Sequence, residues 1–292
     1  IELELERCHW ITEVEIDGKK AGTRTSLATP HIYNLSELLT PGRHTIRLTV
    51  DNSLDCIDPG INSHSVTDHT QGNWNGVAGK MELRARDRVN IRGTKVFPDA
   101  MARKVRVETY VENATGATVQ GTLAGKIGKV EKCDDVTLEP GENRIVTEFV
   151  LGADAPQWNE FNPQLLTLNQ ELKAGDMNDN RATEFGLRTI EARDGKILVN
   201  GRPVFLRGTL DCAAFPITGY PPTDEAAWDK IYDTLKAYGL NHVRFHSWCP
   251  PEAAFASADR KGVYLQVECG SWANTSTSIG DGHPIDRFIA EE

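Results

Sequence analysis

The chain has 292 residues, of which 39% are hydrophobic and 25% charged, a composition typical of globular proteins, and this length suits two or three domains. Its formal net charge of −10 argues against nucleic acid as the main partner, because binding phosphates requires a basic surface. No run approaches 18 apolar residues, so the sequence predicts neither a transmembrane helix nor a membrane partner.

The first part of the chain carries strand and turn signals. Val14–Thr23 has the pattern of a hairpin, and its Asp17-Gly18 pair is a common two-residue turn. A short helical turn is predicted at Leu35–Leu39, and a further strand at His44–Val50. We therefore expect mainly β-structure at the start of the chain.

Short strands separated by turns are predicted between residues 88 and 187. In the segment from Lys104 to Val111, valines alternate with mostly charged residues, as a half-buried antiparallel strand requires. At least five strand-like runs share this region: Val89–Thr94, Ala102–Glu112, Gln120–Gly125, Asp134–Leu138 and Asn143–Phe149. Such a series of short strands with regular turns predicts an immunoglobulin-like β-sandwich.

The pattern changes near residue 200. Asp194-Gly195 and Asn200-Gly201 are strong hairpin signals, and they separate three predicted strands: Leu187–Glu191, Lys196–Val199 and Pro203–Gly208. Predicted helices then alternate with apolar runs, in the order Glu225–Tyr238, Leu240–Phe245, Pro251–Lys261 and Val263–Val267. Strands that alternate with helices indicate βαβ units and a parallel sheet.

Three ordered signatures span about 85 residues here. The first is formed by Phe185, Gly186, Arg188, Ile190, Gly195, Asn200, Gly201, Pro203, Arg207 and Gly208. The second is formed by Asn241, Val243, Arg244, His246, Pro250 and Pro251, and the third by Gly262, Val263, Tyr264, Leu265 and Glu268. In this order they resemble glycoside hydrolase family 2, which includes β-galactosidases, β-glucuronidases and β-mannosidases. Upstream, Trp10–Gly42, Gln71–Leu83 and Asp154–Pro163 resemble the family more weakly.

The resemblance implies a mainly β chain of three parts. These are a jelly-roll-like, sugar-binding β-sandwich over 1–87, an immunoglobulin-like β-sandwich over 88–187, and the first part of a (β/α)8 TIM barrel over 188–292. Three parallel strands cannot close a barrel of eight. We expect the first sandwich to lack its opening residues.

The resemblance also implies an activity: retaining hydrolysis of terminal β-linked sugars, without a cofactor. The family's two catalytic glutamates follow the fourth and seventh barrel strands, the first within an Asn-Glu pair. In this chain that pair occurs only at Asn159-Glu160, in the predicted sandwich. We therefore expect no catalytic residue in this chain and no turnover by the chain alone.

Residues at the carboxyl ends of barrel strands are the candidates for binding sugar. Acidic, basic and aromatic side chains meet there, which suits hydroxyl groups and sugar C–H faces: Asp211, Arg244, His246, Trp248, Glu268 and Trp272. Each also has a structural alternative. Arg244 could pair with Glu268, Asp211 could cap a loop, His246 could close the pocket wall, and the two tryptophans could be packing residues.

The chain departs from the family pattern in two places. The stretch Gly208–Ala213 lacks the histidine common after the first barrel strand, so a galactosidase activity does not follow directly. Gly270–Asn274 has no carboxylate or imidazole where some members hold magnesium, which predicts no metal there. Six cysteines without CxxC spacing make a zinc site unexpected, and Cys212, Cys249 and Cys269 could line the pocket floor.

Two other classes of protein remain open. A non-catalytic carbohydrate-binding protein or an adhesion protein of immunoglobulin-like domains would account for the sandwiches, but not for the βαβ segment. The expected partner is a carbohydrate, and the sequence leaves homo-oligomers and the identity of the sugar open. It shows no signal peptide, but for a polysaccharide-degrading enzyme we favour a periplasmic or extracellular location over the cytoplasm.

Overall fold

A computed structural model of the protein describes residues 1–53, 74–272, 280, 282 and 284–292. The chain is mainly β and divides into two compact units. The first unit comprises Ile1–Ala85, Arg207–Ala258 and Val263–Glu292, and the second comprises Arg86–Leu206 and Asp259–Gly262. The three-part division at 87 and 187 stays a prediction.

The first unit contains two antiparallel three-stranded sheets. Their strands are β1 (Glu2–His9), β2 (Ile11–Ile16), β3 (Lys19–Thr25), β4 (His31–Asn34), β5 (Ile46–Asp51) and β6 (Gly76–Arg84). One sheet has the order β4-β1-β6 and the other β3-β2-β5. Alternate side chains of β2 are buried, and Leu5, Val14, Ile16 and Tyr33 belong to one apolar core. Part of the segment Gln71–Leu83 lies outside the described residues.

The predicted turn between β2 and β3 is formed by two residues in the left-handed region, Asp17 (φ 50°) and Gly18 (φ 79°). His44 anchors this turn, with its Nδ1 2.6 Å from an Asp17 carboxylate oxygen and its Nε2 2.7 Å from the Thr40 carbonyl oxygen. Because both ring nitrogens face acceptors, the hydrogen bond to Asp17 and then that to Thr40 raise the pKa of His44.

A parallel sheet and three helices are the other elements among the described residues of the first unit. The strands are β17 (Gly208–Asp211), β18 (His242–Phe245) and β19 (Tyr264–Val267), in that order in the sheet. The helices are α1 (Glu225–Ala237), α2 (Glu252–Lys261), whose last three residues fall in the second unit, and α3 (Pro284–Glu291). None of the helices among the described residues is long and apolar enough to cross a membrane.

Helix α1 begins at the predicted residue Glu225 and ends at Ala237, one residue before the predicted end. The side chain of Asp224 caps it by accepting the amide of Ala227 at 2.9 Å, and Gly239 follows its end with φ 74°. Its buried face, with Trp228 and Tyr232, packs with Phe245 in the core of the β/α segment.

The second unit has ten strands, all in antiparallel sheets, and its residues 86–206 include no helix. The strands are β7 (Val89–Asp99), β8 (Lys104–Asn113), β9 (Val119–Ile127), β10 (Val130–Leu138), β11 (Gly141–Val150), β12 (Leu165–Ala174), β13 (Met177–Gly186), β14 (Ile190–Arg193), β15 (Lys196–Val199) and β16 (Arg202–Pro203). The sheet orders are β11-β8-β7, β10-β9-β12-β13 and β14-β15-β16. Four of the five predicted runs lie within β7, β9, β10 and β11, and the fifth, Ala102–Glu112, begins two residues before β8.

Two predicted strand limits near residue 200 differ from the structure. β14 begins at Ile190 rather than at Leu187, because the carbonyl of Leu187 accepts the amide of Trp158 at 3.0 Å. The predicted strand Pro203–Gly208 is divided: β16 ends at Pro203, and the parallel strand β17 begins at Gly208. The Asn241 side chain accepts the amide of Arg207 at 2.8 Å. This hydrogen bond joins the residue before β17 to the residue before β18, next to the start of their parallel pairing.

Candidate functional site

The candidate site lies at the carboxyl edge of the parallel sheet in the first unit. Asp211 pairs with Phe245 on β18, and Phe245 pairs with Val267 on β19. Residues just beyond these positions therefore leave the sheet at one edge. The predicted site residues all lie at or near it: Asp211, Arg244, His246, Trp248, Glu268 and Trp272.

Arg244 and Glu268 form the central pair of this edge. Arg244 donates from Nε to Glu268 Oε1 at 2.5 Å, while Glu268 Oε2 accepts the backbone amide of Ser247 at 2.8 Å. Ser247 adopts φ 59°, the left-handed region that is uncommon for a residue other than glycine. Both carboxylate oxygens are thus held by donors on the neighbouring strand or on the segment following it.

These contacts decide the ionisation of Glu268. Burial opposes the charged form, but the hydrogen bond from Arg244 and that from Ser247 outweigh it, so the pKa of Glu268 lies below its ordinary value. The Glu268 side chain remains 26% exposed and that of Arg244 43% exposed. Glu268 is therefore an ionised, partly accessible acceptor, suited to a hydroxyl donor and poorly suited to general acid catalysis.

His246 and Trp272 form the exposed side of the site. Their rings meet edge to face, with centroids 4.9 Å apart and an interplanar angle of 79°. Trp272 is 41% exposed, and His246 Nδ1 lies 3.2 Å from the Ser247 hydroxyl oxygen. An accessible indole beside an imidazole offers an apolar face and a polar group to the same ligand.

Trp248 and Asp211 occupy more interior positions. Trp248 is 2% exposed and contacts Phe245 at a centroid distance of 5.2 Å, and its indole nitrogen donates to the Asp211 carbonyl at 3.1 Å. The Asp211 carboxylate accepts the amide of Ala213 at 2.8 Å, and burial raises its pKa. In this arrangement Trp248 is a packing residue and Asp211 caps the turn after β17.

A cavity of about 210 Å³ lies beside Glu268. It is lined by Leu27, Ala28, Cys249, Val267, Glu268, Cys269, Gly270 and Glu292. Nearby, the buried guanidinium of Arg7 donates to the Cys249 carbonyl at 2.6 Å and to the Ala28 carbonyl at 3.4 Å. Neither Arg7 nor Ser247 was predicted. Nothing near them in the sequence indicates a role, because a backbone amide and a long-range contact leave no local pattern.

The described residues include no group of three or more His, Cys, Asp and Glu side chains that could hold a metal ion. Of the stretch predicted to hold no magnesium, Ala273 and Asn274 lie outside the described residues. The absence of a metal there stays a prediction.

No family model matches the chain. Among curated proteins, it is 32% identical over 282 residues to a β-galactosidase of Thermoanaerobacter pseudethanolicus, covering 93% of this chain and 36% of that protein. It is 23% identical over 267 residues to "Beta-galactosidase 2" of Enterobacter cloacae, covering 86% of this chain and 25% of the relative. The chain therefore spans only about a quarter to a third of these relatives.

Solved structures agree on the fold. A glycoside hydrolase family 2 β-galacturonidase from Eisenbergiella tayi superposes with a TM-score of 0.77 at 21% identity, over 92% of this chain and 48% of that one. A β-glucuronidase of Bacteroides uniformis gives a TM-score of 0.77 at 16% identity, over 94% of this chain and 35% of that one. The chain is similar over most of its length to glycoside hydrolase family 2 proteins, as the sequence signatures predict.

Proposed function

We propose that this chain is part of a retaining glycoside hydrolase that acts on terminal β-linked sugars. The observation that carries the proposal is the ionised Glu268, held by Arg244 and by the Ser247 amide at the carboxyl edge of a parallel sheet. The similarity to family 2 glycosidases supports it. In the same proposal the three parts are a jelly-roll-like sandwich, an immunoglobulin-like sandwich and the first strands of a TIM barrel.

The site residues take different roles in this proposal. Glu268 accepts a hydroxyl of the terminal sugar, Arg244 orients that carboxylate, and His246 and Trp272 contact the sugar from the exposed side. Asp211 and Trp248 support the site from within, because their polar groups are engaged with neighbouring backbone. A non-catalytic carbohydrate-binding protein would use the same contacts without turnover.

The chain alone is expected to have no turnover. Retaining hydrolysis requires two carboxyl groups about 5–5.5 Å apart, one acting as acid/base and the other as nucleophile. Arg244 and the Ser247 amide keep Glu268 ionised, so it cannot supply the acid. Asp211, the other carboxylate at a described strand end of this sheet, is turned to the amide of Ala213.

Activity assays test this proposal. The longer protein should hydrolyse at least one member of a panel of aryl β-galactosides, β-glucuronides, β-galacturonides and β-glucosaminides. Proton NMR should show that the first product has the substrate's anomeric configuration. Inverted product, or no turnover on any β-glycoside, contradicts the proposal. Turnover by the 292-residue chain that disappears in Glu268→Gln would instead make Glu268 catalytic.

The electrostatic part can be measured without any activity. In Arg244→Gln, the pKa of Glu268 should rise relative to the wild type, because its charged hydrogen-bond donor is lost. Carboxyl carbon NMR across an acid titration would read this shift. Arg207→Gln is the matched control, since Arg207 precedes β17 and donates to the Gly239 carbonyl at 2.7 Å. Equal Glu268 titration in wild type and Arg244→Gln would refute the assigned role of Arg244.

A further inference from the structure

Two free thiols share the cavity beside Glu268. Cys249 and Cys269 both line its volume of about 210 Å³, and both are partly exposed. The other cysteines of this unit that the structure describes differ from them. Cys8 is 1% exposed, and Cys212, next to Asp211, is not among the residues that line the cavity.

The parallel sheet explains why these thiols lie close together. Phe245 on β18 pairs with Val267 on β19, so the segments that follow leave the sheet side by side. Beyond that pair, the Ser247 amide still reaches the Glu268 carboxylate at 2.8 Å. The two thiols are near enough to interact electrostatically, because the pKa of Cys269 is raised by burial and, to a smaller extent, by the charge of Cys249.

We propose that Cys249 and Cys269 form an oxidative modification site, in which the two thiols close into an intramolecular disulfide beside Glu268. The oxidant is a small-molecule disulfide such as oxidised glutathione. One cysteine thiolate attacks it, giving a mixed disulfide and one released thiol. The second cysteine thiolate then attacks the mixed disulfide and releases the second thiol. In total two protein thiols are oxidised and one disulfide is reduced to two thiols.

The surroundings set the conditions for this exchange. Burial is the largest effect and raises the pKa of both thiols, and the negative charge of Glu292 raises both as well. The positive charge of Arg7 acts in the opposite direction on Cys249 and lowers its pKa. Because the thiolate is the attacking species, exchange should be slow at neutral pH and faster at mildly alkaline pH.

The bridge would have a defined consequence for the neighbouring site. Cys269 directly follows Glu268, and Cys249 lies two residues beyond Ser247, whose amide holds that carboxylate. A disulfide would therefore tie together the two segments that position Glu268. This inference does not depend on the proposed glycosidase activity, since its readout is the cysteines themselves.

Peptide mapping of the oxidised chain tests the proposal. The folded 292-residue protein is incubated with oxidised glutathione at mildly alkaline pH, the remaining thiols are alkylated, and the protein is digested with trypsin. Cys212, Cys249 and Cys269 fall in three different tryptic peptides, 208–230, 245–260 and 262–287, each with one cysteine. We expect a cross-link between the second and third peptides, with loss of two free thiols and of about 2 Da from the intact mass.

Variants identify the pair. Cys269→Ser should abolish the cross-link and leave glutathione on Cys249, whereas Cys212→Ser should retain the cross-link unchanged. A dominant cross-link through Cys212 would overturn the proposal, as would mixed disulfides on both cysteines with no cross-link, or no loss of thiols. The wild-type map alone decides between these outcomes, so a variant that fails to fold leaves the test intact.

Discussion

Truncating the two tryptophans of the candidate site should have very different effects on stability. Trp248 is 2% exposed and packs against Phe245 and Trp228, whereas Trp272 is 41% exposed. Replacing a buried tryptophan with alanine typically costs about 3–5 kcal/mol of unfolding free energy through lost transfer energy and the cavity left behind. Exposed positions typically change it by about 0.5 kcal/mol or less. We expect Trp248→Ala to fall in the first range and Trp272→Ala in the second.

A third variant separates packing from hydrogen bonding. Trp248→Phe keeps an aromatic ring but loses the indole N–H that donates to the Asp211 carbonyl 3.1 Å away. We expect this variant to lose about 1–2 kcal/mol of unfolding free energy. Urea unfolding followed by far-ultraviolet circular dichroism measures all three variants, with the transition of the first unit fitted separately if the two units unfold apart. Similar costs for Trp248→Ala and Trp272→Ala would refute the assignment of Trp248 to the core.

Two further predictions concern conformation and pH. The hydrogen bond to Asp17 is the largest cause of the raised pKa of His44. The contribution of protonated His44 to folding stability is therefore complete below the ordinary histidine pKa of about 6.5, and it is lost as the pH rises through the raised pKa. The difference in urea midpoint between wild type and His44→Gln should therefore shrink from pH 6 to pH 9, and a constant difference would contradict this. Gly262→Ala should lower the stability of the protein more than Gly195→Ala. Both glycines have positive φ, but only at Gly262 would an added Cβ lie 2.7 Å from a backbone oxygen, that of Glu160. The strain alone is about 1–2 kcal/mol at each position, and thermal unfolding would detect the added clash as a larger loss at Gly262.

Local patterns predicted much of the fold. Alternating apolar residues predicted β8, the Asp17-Gly18 pair predicted the first hairpin turn, and the predicted helix Glu225–Tyr238 differs from α1 by one residue. These features depend on neighbours in sequence, so they are legible from the sequence itself. The limits of β14 and β16 were wrong by a few residues, because contacts made by distant residues set them.

The candidate site was predictable to a smaller extent. Parallel strands bring their carboxyl ends to one edge, and this placed Arg244 next to Glu268 in advance. The orientation of Trp248 was not predictable in the same way. The left-handed backbone of Ser247 redirects the chain immediately before Trp248, and nothing in the sequence signals a positive φ at a serine.

The Arg244–Glu268 pair is better explained by orientation than by stability. Pairs as exposed as this one usually contribute only about 0–1 kcal/mol, since solvent screens the charges and ordering the side chains costs entropy. Two donors from separate positions, however, fix both oxygens of one carboxylate, and they come from a strand and from the segment following it. Holding an acceptor in place before a ligand arrives reduces the entropy that binding must otherwise cost. The structural pairing and the proposed contact with sugar are therefore two consequences of the same arrangement.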